Sequence, residues 1–287
     1  MQKQKKNHQG IAVPKWLRVS LQAIERLSPH TSMLVASYVF SKPIKFKIPF
    51  REQKALKACT QNTHYIPEID RHLATYEWGN TGDKILLVHG WSGRGMQLHS
   101  IAESLHQLGY HVVAFDAPAH GKSTGKKTNV LQMIATIRYF DKTLGGIYGL
   151  VGHSLGGMAI FNYCKAPNSI KKVVTVGAGD LMGAIFENFI AAVGLRPSTC
   201  DLMTRHFETK FQIKAHDFSS SVVVKEQHIP TLVLHDEDDK DIAASCADNI
   251  IKHHKNATLI KTKGLGHRRI LRDDVVLKHI STFIKSS

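Results

Sequence analysis

The sequence predicts an α/β fold: a mostly parallel sheet with helices on both faces. Three observations predict it. From residue 72 onward, strand and helix patterns alternate, as they do when parallel strands are joined through helices. Four short motifs rich in Gly, Ser, His and Asp fall where predicted strands end, and open α/β sheets form their sites there. The 287 residues are 43% hydrophobic and 21% charged, enough for one large globular core. That composition excludes a mostly disordered, collagen-like or disulfide-scaffold chain. No apolar run approaches the ~18 residues of a spanning helix.

The elements follow in order. His72–Trp78 alternates apolar and polar, as a half-buried strand does, and Thr81-Gly82-Asp83 is a turn. Lys84–Val88 is a short apolar run, as a strand buried on both faces requires. Gln97–Leu108 reads as a helix stopped by Gly109, and His111–Phe115 as the next strand. Asn129–Leu144 is helical and ends at Gly145-Gly146. Ile147–Val151 is a strand leading into Gly152, and Ser154–Lys165 is a helix. Strands are expected at Lys171–Val176, Thr231–Leu234 and Thr258–Lys261, with helices at Ile242–Lys252 and Arg269–Ile284. About fifty residues between Val176 and Thr231 break the rhythm. They hold two helix-like stretches, Leu181–Val193 and Cys200–Phe211, which read as a helical lid over roughly 180–228.

The charge is uneven. Lys and Arg number 38 against 23 Asp and Glu, a formal net of +15. Residues 1–60 carry 12 basic and 2 acidic side chains, and residues 252–287 carry 9 and 2, so the body between them is nearly neutral. Basic ends suit an anionic partner such as lipid head groups, nucleic acid or an acidic protein; the plain alternative is a solvated basic surface. Residues 1–60 are expected to form a basic helical extension and residues 61–287 the main α/β domain. Within the extension, Met1–Gly10 reads as a disordered basic tail. Trp16, Leu17, Leu21, Ile24 and Leu27 mark an amphipathic helix, and Met33–Phe40 a second apolar run. Ser28, Pro29 and His30 interrupt the apolar stretch, which argues against a cleaved secretory signal. The helices either dock on the domain or lie on an anionic membrane surface, which Trp16 and its flanking cations suit. No nucleic-acid-binding motif is visible, so no specific nucleic acid is expected. Four scattered cysteines without metal spacing read as reduced thiols of a cytoplasmic protein, with peripheral attachment at the inner membrane as the variant.

The chemistry concentrates in the four motifs. Gly152-His153-Ser154-Leu155-Gly156-Gly157 joins a strand to a helix and has the G-x-S-x-G pattern of a nucleophile elbow. Its glycines permit a tight turn that presents the Ser154 hydroxyl at a helix N-terminus, where the Leu155 N–H can face a developing oxyanion. His89-Gly90-Trp91-Ser92-Gly93 follows a strand, and the Trp91 N–H is the expected second donor; His89 reads as a structural histidine holding that loop. A triad needs a buried carboxylate to orient its histidine. Asp239 in LHDEDDKDI is chosen, because the loop must leave the strand before a carboxylate can turn inward; Asp236 and Asp238 are the alternatives. His267 in GLGHRRILRD is the candidate general base, after a Gly-rich loop at a strand end. Phe115–Ser123 reads as a rigid turn at the rim, with Asp116 structural.

The set HGWSG, FDAPAHGKS, GHSLGG, LHDEDDKDI and GLGHRRILRD resembles the α/β-hydrolase fold superfamily over roughly residues 72–287. It looks most like bacterial serine hydrolases of the esterase, thioesterase and lipase type. The resemblance implies a mainly parallel eight-stranded sheet with a lid after strand six. It also implies Ser154 as nucleophile, Asp239 as acid and His267 as base. The chain departs from the pattern in its basic extension and in a His-Gly loop that is not the HGGG type of many lipases.

The expected reaction is cleavage of a carboxylic ester or thioester through an acyl-enzyme, with a small-molecule acyl substrate and no metal or organic cofactor. His153, Met182 and Phe186 are the candidate substrate-binding residues, the latter two as part of an apolar wall; simple packing of the lid is the alternative. Acyl transfer to another acceptor, or ligand binding without catalysis, are the rival readings on the same fold.

Overall fold

The computed structural model describes residues 13–286, so the Met1–Gly10 tail lies outside the described residues. In chain order the first elements are α1 (Lys15–Leu27), α2 (Pro29–Phe40), α3 (Phe50–Ala55), β1 (Thr60–Ile66), β2 (Arg71–Trp78) and β3 (Lys84–Val88). Next come α4 (His99–His106), β4 (His111–Phe115), α5 (Val130–Thr143), β5 (Gly149–His153), α6 (Leu155–Tyr163) and β6 (Lys172–Val176). Helices α7 (Met182–Val193), α8 (Pro197–Phe211) and α9 (Ser220–Val223) precede β7 (Thr231–Asp236). The chain closes with α10 (Ser245–His253), β8 (Ala257–Thr262), α11 (Gly266–Arg269) and α12 (Asp274–Lys285).

The eight strands form one sheet in the order β1-β2-β4-β3-β5-β6-β7-β8. The pairs β1–β2 and β2–β4 are antiparallel and the rest are parallel. Strands β4, β5 and β6 are buried at every position, which is why they read as short runs without alternation. Successive side chains point to opposite faces. Ile85, Leu87, Val112, Val151 and Leu232 therefore share one face with Ile101 and Leu105 of α4 and Val276, Ile280 and Ile284 of α12. On the other face Phe115 stacks on Phe140 of α5 at 5.5 Å.

Two expectations are corrected. The final helix begins at Asp274, not at Arg269, because the Asp273 side chain accepts hydrogen bonds from the Val275 and Val276 N–H groups and caps it there. Strand β1, at residues 60–66, was not expected as a strand at all. It is an antiparallel edge strand whose first four residues are exposed, so it carries no alternation to read.

The chain divides into two compact units: residues 1–41 with 181–219, and residues 42–180 with 220–287. Within the smaller unit, α1 and α2 are separated by Ser28, whose hydroxyl caps α2 by accepting from the Thr31 N–H, and Pro29 occupies the first helical position. Phe40 at the end of α2 packs edge-on against Phe186 and Phe189 of α7, while Phe186 stacks on Phe207 of α8. Glu25 of α1 is buried and accepts from the Arg196 N–H at 2.9 Å and the Thr199 hydroxyl at 2.5 Å. The N-terminal helices and the insertion between β6 and β7 thus share one core. No helix among the described residues is long and apolar enough to cross a membrane.

In the larger unit, α6 crosses β3 at Gly156. A Cβ there would collide with the Val88 carbonyl oxygen, which is backbone and cannot yield. Gly156→Ala is therefore expected to destabilise the chain by about 3 kcal/mol or more, at the upper end of overpacking costs. Urea unfolding measures it, and a loss under 1 kcal/mol would refute the close-approach argument.

Candidate active site

The four motifs meet at the C-terminal ends of β3, β5, β7 and β8, which are neighbours in the sheet apart from the intervening β6. Ser154 sits between β5 and α6 with φ 54° and ψ −120°, a strained backbone for a residue with a Cβ. The turn is held by its N–H, which donates to the Val176 carbonyl at 3.0 Å, and by the Gly157 N–H, which donates to the Ser154 carbonyl. Leu155 opens α6, so its N–H is among those that the helix itself does not use.

The His-Gly loop lies directly against the serine. A Cβ on Gly90 would be 2.7 Å from the Ser154 Cβ, so only glycine lets the backbone before Trp91 come this close. His89 is fully buried and pins the loop. Its Nδ1 donates to the Gly90 carbonyl at 2.7 Å, and its Nε2 accepts from the Ala117 N–H at 2.8 Å. Burial pushes its pKa down to about 4, so the ring is a neutral strut with both nitrogens occupied. His120 acts alongside it. Its Nε2 accepts from the Ser92 N–H, its Nδ1 donates to the Pro118 carbonyl, and burial pushes its pKa down to about 3. Asp116 ties the neighbouring loops together by accepting from the Tyr76 hydroxyl, the Gly95 N–H and the Lys122 N–H.

Among the three aspartates that competed, Asp239 is the one hydrogen-bonded to the histidine. Its Oδ2 accepts from His267 Nδ1 at 2.7 Å, and its side chain is 1% exposed. Its Oδ1 accepts from the Asp241 and Ile242 N–H groups at 2.8 and 2.9 Å. Burial alone would raise its pKa. The bonds from His235 and His267, the charge of His267 and the Ile242 N–H outweigh that and hold the carboxyl well below its ordinary range. His235 is fully buried, with Nε2 3.5 Å from Oδ2 of Asp239 and 3.0 Å from the Ile242 carbonyl, so it braces the same loop.

Asp236 does something else. Its carboxylate accepts from the Asp238 and Gly266 N–H groups on Oδ1, and from the Thr262 hydroxyl and Leu265 N–H on Oδ2. It latches the loop carrying His267 to the loop carrying Asp239. Asp238 is exposed and accepts from the Gly264 N–H. Burial would raise the Asp236 pKa, but the Thr262 hydroxyl and three backbone donors lower it. Its folded pKa thus lies below the unfolded value of about 3.9, and on acidification the unfolded chain takes up the proton first. The stabilisation is complete above about pH 4 and is lost as pH falls through the folded pKa. Asp236→Asn is expected to cost about 2 kcal/mol at neutral pH by turning an NH2 toward donors. It should also flatten the acid limb of stability against pH. Urea titrations at several pH values check both, and an unchanged acid limb would remove Asp236 from the latch.

The candidate substrate-binding residues separate. His153 is buried beneath the histidine: its Nε2 donates to the His267 carbonyl at 2.9 Å, and the two rings lie 4.5 Å apart. Burial, with the nearby His267, pushes its pKa down to about 3. Met182 and Phe186 are 8% and 5% exposed, and the Phe186 ring packs between Phe40 and Phe207 inside the smaller unit. The bracing roles of His120, His235 and Asp236 were not foreseen from sequence. Sequence offers Asp236 only as a catalytic acid, because its donors, apart from Asp238, lie 26 to 30 residues further along the chain.

Comparison with known proteins agrees with this architecture. A family model described as alpha/beta hydrolase fold matches residues 84–199. A monoacylglycerol lipase of Mycolicibacterium smegmatis is 28% identical over 103 residues, which cover 32% of this chain and 36% of that relative. The match thus spans about a third of each protein. A putative lipase from Acinetobacter baumannii superposes with a TM-score of 0.63 at 21% identity, over 84% of this chain and 97% of the other. An esterase from Exiguobacterium antarcticum gives 0.60 at 16% identity, over 79% of this chain and 100% of its own. With the sheet order, the serine elbow and the matched segment in agreement, the chain has the α/β-hydrolase fold.

Proposed function

We propose that this protein is a serine hydrolase that cleaves a carboxylic ester or thioester through an acyl-enzyme. The observation that carries the reading is the 2.7 Å bond from His267 Nδ1 to the buried Asp239, together with a serine held at φ 54° on the elbow. Asp239 fixes the proton on Nδ1, leaving Nε2 of His267 as the base. His267 takes the Ser154 proton as the serine oxygen attacks the carbonyl carbon. The oxyanion is held by the N–H groups of Leu155 and Trp91, and a single such donor is worth about 3 kcal/mol. The tetrahedral intermediate collapses, and the alcohol or thiol leaves with the proton from His267. Water, deprotonated by His267, then cleaves the acyl-serine ester and restores the hydroxyl. The names of the relatives, lipase and esterase, support an ester as the substrate bond.

The test works whatever the acyl group is, because it reads the activated serine directly. A fluorophosphonate probe should label the wild type and fail to label His267→Ala, with the fold verified by circular dichroism. Ester and thioester panels of graded chain length then define the substrate. A folded wild type that resists the probe and hydrolyses no member of the panels would overturn the reading.

A further inference from the structure

We infer that α1, in the smaller unit, and residues 42–54, in the larger unit, each carry a docking patch for anionic phospholipid membrane. The first observation is a stripe on α1. At about 100° per residue, Trp16, Val19, Ala23 and Leu27 fall within one strip about 80° wide. Trp16 is 70%, Val19 56% and Leu27 89% exposed, whereas Leu21 and Glu25 on the opposite side are buried in the smaller unit. The helix therefore has two apolar faces, and only one is used by its own core. Lys15 and Arg26 border the outer stripe, and both are exposed.

The second observation is charge. Residues 1–60 hold twelve cations and two carboxylates, and both carboxylates are removed from the surface. Glu25 is taken up by the Arg196 N–H and Thr199. Glu52 is 1% exposed and binds Arg94 at 2.6 Å. What residues 13–58 show to solvent is thus cationic only.

The third observation repeats the pattern in the larger unit. Ile44, Phe46 and Phe50 are 57%, 55% and 81% exposed, among Lys42, Lys47, Arg51 and Lys54. Arg94 holds the backbone of this segment by donating to the Phe46 carbonyl, so its rings are presented from an anchored chain.

Exposed aromatic and aliphatic groups set among cations match the two parts of an anionic bilayer surface. The apolar groups enter the acyl boundary and the cations meet the phosphates. A protein partner would have to supply a wholly acidic face, and duplex DNA offers nothing to Trp16, Leu27 or Phe50. The surface does not depend on the hydrolase reading, and its test involves no catalysis.

The test is flotation of the full chain with phosphatidylcholine vesicles, with and without phosphatidylglycerol, at low and high salt. The wild type should bind only the anionic vesicles and detach as salt rises, and each cation at such a surface adds about fivefold in affinity. Trp16→Ser with Leu27→Ser, Phe46→Ser with Phe50→Ser, and Lys15→Glu with Arg26→Glu should each weaken binding at least tenfold. All of these positions are exposed, and unchanged unfolding midpoints confirm the fold. Trp16 emission should shift to the blue on binding. No binding by the wild type, equal binding to neutral vesicles, or variants that bind as the wild type does would overturn the proposal. So would a stripe that drives dimerisation without vesicle binding.

Discussion

Replacing Ser154 by Ala should lower kcat on a short p-nitrophenyl ester by about 10⁴-fold or more, because the proposed triad, stripped of its nucleophile, would retain only oxyanion-hole and binding contributions. The change leaves the elbow unaltered. Alanine carries the same Cβ at the same φ of 54°, and the backbone bonds from Ser154 to Val176 and from Gly157 to Ser154 involve no hydroxyl. Unfolding midpoints should therefore match the wild type within about 0.5 kcal/mol, as for a substitution that removes no buried contact. The fluorophosphonate adduct, formed on the serine oxygen, should vanish as well. Activity within tenfold of the wild type would place the nucleophile elsewhere.

Asp239→Asn should cost nearly as much, about 10⁴-fold in kcat, by reversing one proton. The direction of the reversal can be worked out from the bonds. Oδ1 of Asp239 accepts from two backbone N–H groups, those of Asp241 and Ile242. The oxygen of an asparagine must occupy that position, since an NH2 there would face two donors. The NH2 then lands where Oδ2 stood, 2.7 Å from His267 Nδ1. It can only donate, so Nδ1 must become the acceptor and the imidazole proton moves to Nε2, where it would block the proposed base catalysis. Asp238→Asn is the control. Asp238 is exposed, touches the Gly264 N–H and should change kcat less than about twofold, as surface substitutions do. Equal losses in the two variants would remove Asp239 from the orienting role.

The legible parts of this protein were those in which one short stretch carries the whole signal. Lys84–Val88 and His111–Phe115 are buried on both faces, and their apolar runs coincide with the strands. GHSLGG and HGWSG carry their own turn chemistry, so the elbow and the loop against it could be placed. Thr60–Ile66 could not, since an exposed edge strand imposes no pattern on its side chains. The choice among Asp236, Asp238 and Asp239 was open for a related reason. All three lie within four residues, and what separates them is which remote N–H or imidazole each one meets. Phe186 shows the limit for apolar residues: a phenylalanine that lines a pocket and one that packs a helix pair have the same sequence signature. Here its ring lies between Phe40 and Phe207.

The smaller unit is built from two segments of chain, residues 1–41 and 181–219, with residues 42–180 between them. This has a consequence for the order of events during synthesis. Helices α1 and α2 emerge from the ribosome well before α7 and α8, against which Phe40 packs and which follow only after most of the sheet has been made. At about 5–20 residues per second the wait lasts roughly 10–35 s. Throughout that interval Met33, Ala36 and Phe40 have no native partner from the insertion. The nascent chain therefore carries an unfinished apolar hairpin, open to chaperones while translation proceeds. Truncated products ending before α7 should be retained by chaperones or aggregate, whereas products extending past α8 can close the unit.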